Sequence, residues 1–123
     1  MSTDKSAAYI DTEIYDRGFE LEYLAEVGFR VKKVTNLSQG DIGWLQFFET
    51  DLVVMNPIMG DWEKSIGLVH SLREESSANR NTPIVAFSVL SDTEIIGKLQ
   101  KYDVKVVSSV KFGSFRDTID SLL

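Results

Sequence analysis

Five polar residues, Asp11, Thr12, Asn56, Ser88 and Lys111, stand where apolar runs of this 123-residue chain give out. A carboxylate, hydroxyls, an amide and an ammonium in such places raise two chemistries, a divalent-metal site and phosphoryl transfer. Magnesium takes octahedral oxygen ligands, usually with one or two carboxylates among them. The set holds one carboxylate, Asp11, and one ammonium, Lys111. Their charges offset, and little field remains to dehydrate a divalent cation. Asn56 offers an amide oxygen, a weak ligand, and an amide cannot attack phosphorus as a carboxylate nucleophile does. The expectation is a polar pocket with no resident metal or cofactor, and with magnesium binding weak or absent.

The elements that must position these residues alternate between strand and helix patterns. Residues 7–11 read as a strand ending in Asp11. Residues 14–27 read as a helix with Ile14, Gly18, Leu21 and Ala25 on one face and Leu24 beside them. Gly28 suits a left-handed helix cap, with Phe29 as the apolar residue that follows. Residues 29–34 alternate apolar and basic, as a half-covered edge strand does. A second helix is expected over 38–49. Its apolar content (Ile42, Trp44, Leu45, Phe47, Phe48) exceeds what one core-facing stripe needs.

Residues 51–56 follow, with Leu52, Val53, Val54 and Met55 unbroken, as in a strand covered on both faces. After a turn over 57–60, Asp61 is a plausible N-cap for a helix to about Glu75, with Ile66, Val69 and Leu72 inward. Residues 76–81 are the most loop-like stretch. Residues 82–89 form a fourth strand, and Ser91-Asp92-Thr93-Glu94 is a capping-box pattern opening a helix with Ile95, Ile96, Leu99 and Tyr102. Residues 104–110 form a fifth strand. Ser114 then caps a last helix with Phe115, Ile119 and Leu122. Five β–α units imply parallel strands with right-handed crossovers, an α/β fold in one domain. In such sheets ligands bind beyond the C-terminal ends of the strands, which is where the five polar residues fall.

Composition closes off several classes. With no cysteine there is no disulfide, thiolate metal site or cysteine nucleophile, and the chain fits a reducing cytoplasm. No apolar run approaches the roughly 20 residues that span a bilayer, and no signal peptide is visible. A net charge of −6 argues against direct nucleic-acid binding. The loop after the first strand, Thr12-Glu13-Ile14-Tyr15, is acidic and glycine-free, unlike a phosphate-cradling loop. The one histidine, His70, lies mid-helix, so no nucleophile–histidine–acid order can be built. An enzyme is therefore not expected.

The chain resembles the receiver domain of bacterial two-component response regulators over nearly its full length. The likeness is carried by LEYLAEVGFRV (21–31), DLVVMNPIM (51–59), TPIVAFS (82–88) and KFGSFRDTI (111–119), and by the spacing of the strand-end residues. It implies a flavodoxin-like three-layer sandwich, a five-stranded parallel sheet of order 2-1-3-4-5 with five helices, structured over about 7–123. It also implies roles. Receivers are phosphorylated on an aspartate at the end of the third strand, where this chain has Asn56. Of the acidic pair that holds magnesium, Asp11 matches the first member, and Thr12 replaces the second. Ser88 and Lys111 match the hydroxyl and lysine that engage the phosphoryl group. The aromatic that swings inward on activation would fall near Ser108, and no aromatic lies between Val104 and Val110. The lysine is normally followed by proline; here Phe112 follows.

The resemblance thus implies a pseudo-receiver, a module that binds a partner protein or a second copy of itself, as a possible homodimer, without phosphorylation. Receivers commonly use the surface spanning about Ile95 to Leu122, which draws in Ile95, Leu99, Tyr102 and Phe115. The apolar surplus of the second helix makes Trp44 and Phe47 candidates for an exposed patch. Two alternatives stand beside this. Ser88 and Lys111 could hold an anion or metabolite and make the domain a sensor. Or Asn56 could be an engineered change in an ordinary phospho-receiver. The bland counterpart of the pocket is a satisfied polar cluster in which Lys111 pairs with Asp11.

Overall fold

The structure is a computed structural model that describes residues 5–10, 18–34, 45, 48–55, 62–88, 93–108 and 112–122, with the backbone alone at 18–20, 62, 87–88, 93, 95, 108 and 112–114. In chain order the elements are β1 (Lys5–Ile10), α1 (Gly18–Glu26), β2 (Phe29–Val34), β3 (Leu52–Met55), α2 (Trp62–Leu72), β4 (Ile84–Ser88), α3 (Thr93–Gln100), β5 (Val104–Ser108) and α4 (Phe112–Leu122). The five strands form one sheet of order β2-β1-β3-β4-β5, and every pairing is parallel. This is the expected flavodoxin-like α/β topology. Four helices are described rather than five. The helix expected over 38–49 lies largely outside the described residues; of the three residues described there, Leu45, Phe48 and Glu49, Leu45 is helical.

Successive strand residues point to opposite faces, and two cores result. Ala8, Ile10, Val53, Met55, Ile84 and Ala86 pack on one side with Leu68, Val69 and Leu72 of α2 and Leu99 of α3. Ala7, Tyr9, Leu52, Val54 and Val85 pack on the other with Leu24 of α1 and Phe115 and Ile119 of α4. All four residues of β3 are buried, which explains its unbroken apolar run: a central strand with helices over both faces has no solvent side. Each fully buried Leu, Ile or Phe stabilises the fold by about 1.5–3 kcal/mol relative to exposure. In β2 the burial alternates only in part, with Arg30, Lys32 and Lys33 exposed. Charged side chains of this kind protect a sheet edge from pairing with another chain.

Several expected boundaries move. β1 begins at Lys5 and ends at Ile10, because Lys5 pairs with Phe29 across the edge of the sheet. Among the described side chains of α1 the buried one is Leu24, expected beside the apolar face, while Ala25 is exposed and Leu21 half-buried. Gly28 does stop the helix in the left-handed region, with φ 102° and its N–H on the Ala25 carbonyl at 3.1 Å. α2 ends at Leu72, short of Glu75, as Arg73 and Glu74 turn back through N–H bonds to the carbonyls of His70 and Ser71. Ser114 is not the cap of the last helix. α4 opens at Phe112, which leaves Ser114 within the first turn rather than at the position before it, from which a side chain caps the orphan N–H groups.

Candidate functional site

The parallel register brings the C-terminal strand ends to one edge of the sheet. Ile10 and Met55, which immediately precede Asp11 and Asn56 in the chain, are direct partners. Met55 in turn pairs with Ala86, and Ser88 pairs with Ser108 at the last positions of β4 and β5. Neighbouring strands lie about 4.8 Å apart. The described backbone therefore converges the segments from which the expected pocket would be built. Asp11, Thr12, Asn56 and Lys111 themselves lie outside the described residues, as do the side chains of Ser88 and Ser108.

Two members of the expected interaction surface are corrected. Leu99 is 0% exposed and Phe115 1%. Each is the residue with which its helix grips the sheet, so neither is available to a partner. Tyr102 is half-buried, and its hydroxyl meets His70 Nδ1 at 3.1 Å with the two rings edge to face, 5.6 Å between centroids. Trp44, Phe47 and the side chain of Ile95 lie outside the described residues. Phe48, next to Phe47, is 64% exposed, the one large apolar side chain so placed among the described residues. Among the described side chains of α3, β5, α4 and the turn between α3 and β5, the exposed ones are polar, including Lys101, Lys105, Arg116 and Asp117. His70 is exposed, with Nε2 3.8 Å from a Glu74 carboxylate oxygen. No group of three or more potential metal ligands occurs among the described residues.

The described polar network lies at the opposite, N-terminal edge of the sheet. Asn79, within the stretch that reads as loop, is completely buried. Its Oδ1 accepts from the Thr50 N–H at 2.8 Å, from the Thr50 hydroxyl at 3.1 Å and from the Thr82 hydroxyl at 2.9 Å. Its Nδ2 donates to the carbonyls of Leu45 and Phe48. Only one orientation of the amide satisfies an N–H on one side and two carbonyls on the other. Arg73 completes the edge. Its guanidinium donates to the carbonyls of Tyr102 (2.8 Å), Asn79 (3.3 Å), Arg80 (3.0 Å), Thr82 (2.7 Å) and Asp103 (3.2 Å). It thereby fastens the end of α2 to the turns that lead into β4 and β5. Burial lowers its pKa, and the nearby Asp103 carboxylate opposes that shift. Asp103 itself has φ 59°, the left-handed region that a short polar side chain tolerates.

Sequence reading missed both residues. Polar residues in a Ser-Ser-Ala-Asn-Arg-Asn stretch read as solvated loop, and nothing local marks one of them as buried. The available signal was weak: Thr50 and Thr82, polar residues just ahead of two buried strands, need partners of their own. On the other face, the Tyr23 hydroxyl donates to Asp120 and ties α1 to α4. That bond to a carboxylate, with burial and the Asp120 charge behind it, raises the phenol from 10.0 to about 12.

No protein-family model matches the chain, and no curated protein matches it. Solved structures do. A signal receiver domain of a two-component histidine kinase from Clostridium thermocellum superposes with a TM-score of 0.82 at 16% identity, covering 98% of each chain. A response regulator from Thermotoga maritima gives 0.76 at 19% identity over 97% of each. The chemotaxis protein CheY4 of Vibrio cholerae gives 0.77 at 15% identity, covering 98% of this chain and 99% of its own. At these identities the likeness is one of fold, over the whole length: the chain has the receiver fold.

Proposed function

We propose that this domain is a degenerate receiver, a signalling module that works through protein contacts and without phosphoryl transfer. The observation that carries the reading is Asn56, an amide directly after β3 in a chain with the receiver fold. Two further residues support it. Thr12 stands where receivers have their second metal-binding acid, and β5 (Val104–Ser108) contains no aromatic to relay a change of state. An engineered Asn56 would account for the first feature and for neither of the others. Lacking a carboxylate acceptor and one metal ligand, the domain is not expected to turn over a phosphodonor.

Its partner would be a protein or a second copy. Because Leu99 and Phe115 are core residues, the contact on the α3–β5–α4 side would be made by polar groups. An apolar contact would fall near Phe48 instead. Incubation with acetyl phosphate, with and without magnesium, followed by intact-mass measurement, tests the reading. No adduct is expected in either condition, and millimolar magnesium should leave the melting temperature unchanged. A stable, magnesium-dependent phospho-adduct would overturn it.

A further inference from the structure

We propose that the N-terminal edge of the sheet carries a site for hydrogen phosphate, at the opposite end from the vestigial pocket. A cavity of about 310 Å³ there is lined by Arg73, Arg80, Asn81, Lys101, Tyr102 and Asp103. That is the room of roughly ten waters, enough for a tetrahedral oxyanion that keeps part of its hydration. Three cations and one carboxylate line it, in a chain whose net charge is −6. The cavity is therefore a local reversal of the protein's overall charge.

The cations are disposed for an incoming anion. Arg80 and Lys101 are exposed, and neither forms a salt bridge among the described residues. One Arg80 Nη1 donates to the Glu75 carbonyl at 2.8 Å, which fixes the guanidinium without neutralising it. Arg73 is held behind them by five backbone carbonyls, so it supplies charge more than free donors. A guanidinium fork and an ammonium lining one cavity are the donor types that oxyanions select. Asn81, exposed and also lining the cavity, offers an amide donor.

Asp103 sets the preference among anions. A carboxylate in the cavity repels a fully deprotonated anion but accepts a hydrogen bond from one that keeps a proton. Hydrogen phosphate carries such an O–H near neutral pH, whereas sulfate, of the same shape, has none. An anion here would bridge the end of α2, the 79–82 turn and the 101–103 turn. These are the segments that Arg73 already joins.

Backbone-amide NMR titration of the full chain with phosphate, sulfate and chloride at matched ionic strength tests the site. Phosphate should give saturable shifts centred on residues 80–82 and 101–103, with sulfate several-fold weaker and chloride without effect. Arg80→Gln and Lys101→Gln, both at exposed positions, should each weaken phosphate about tenfold while leaving the spectrum folded. Absence of saturable shifts at those residues, shifts that survive both substitutions, or equal binding of sulfate would each overturn the proposal.

Discussion

Asn79→Ala removes a side chain with no exposed surface whose amide serves five partners. Two of the groups it leaves, the Thr50 N–H and the Leu45 carbonyl, meet it in buried hydrogen bonds. The Phe48 carbonyl is nearer water, and the Thr82 hydroxyl retains the Thr50 carbonyl at 3.2 Å. At about 1–3 kcal/mol for each buried polar group left unsatisfied, the loss should be about 3 kcal/mol. Equilibrium urea unfolding measures it as a lower midpoint with an unchanged slope. Asn79→Asp is the sharper probe. It keeps the acceptor toward Thr50 and places a second oxygen against two carbonyls, so the carboxyl should hold its proton when folded and titrate above its ordinary range. With the folded pKa above the unfolded value of about 3.9, the native state binds more protons between the two, and stability falls as pH rises through that window. Near pH 4 the variant should lie close to the parent, and near pH 7 it should be less stable than Asn79→Ala. A loss below about 1 kcal/mol for Asn79→Ala, or a pH-independent deficit for Asn79→Asp, would refute the assignment of Asn79 as the buried hub.

Arg73→Met should cost about 2–4 kcal/mol in the same unfolding assay, since five carbonyls lose a charged donor, and Arg73→Lys should recover less than half because an ammonium cannot present a planar fork. Gly28→Ala should cost about 1–2 kcal/mol, as φ 102° disfavours any side chain, with melting temperature as the readout. Spectrophotometric titration should find the Tyr23 phenol ionising near 12 and returning toward 10.0 in Asp120→Asn. Because its folded pKa is raised, the contribution of this bond is fully present below pH 10.0 and is lost as pH rises toward about 12.

The five strands and the four described helices, though not their bounds, the edge character of β2 and the Gly28 stop were legible because each rests on local pattern. An unbroken apolar run marks a strand covered on two faces, an alternating one marks an edge, and a glycine after a helix marks a left-handed cap. The parallel class followed from the alternation of strands and helices. Of the candidate pocket, the chain names the positions after the strand ends, and the register of Ile10 with Met55 and of Ser88 with Ser108 brings those ends together, while Asp11, Thr12, Asn56 and Lys111 lie outside the described residues.

Other features needed the tertiary structure. Leu99 and Phe115 are apolar whether they face a partner or the sheet, and only the seating of α3 and α4 decided for the sheet. Asn79 bonds across 29, 34 and 31 residues of sequence, to Thr50, Leu45 and Phe48. Arg73 likewise reaches 29 residues to Tyr102. A polar residue's worth depends on which unsatisfied backbone groups the fold carries to it, and those groups are the same at every residue of a sequence. The chain by itself therefore determined where apolar surface must be buried and which polar residues follow the strand ends. The assembled sheet decided which polar side chains hold its edges.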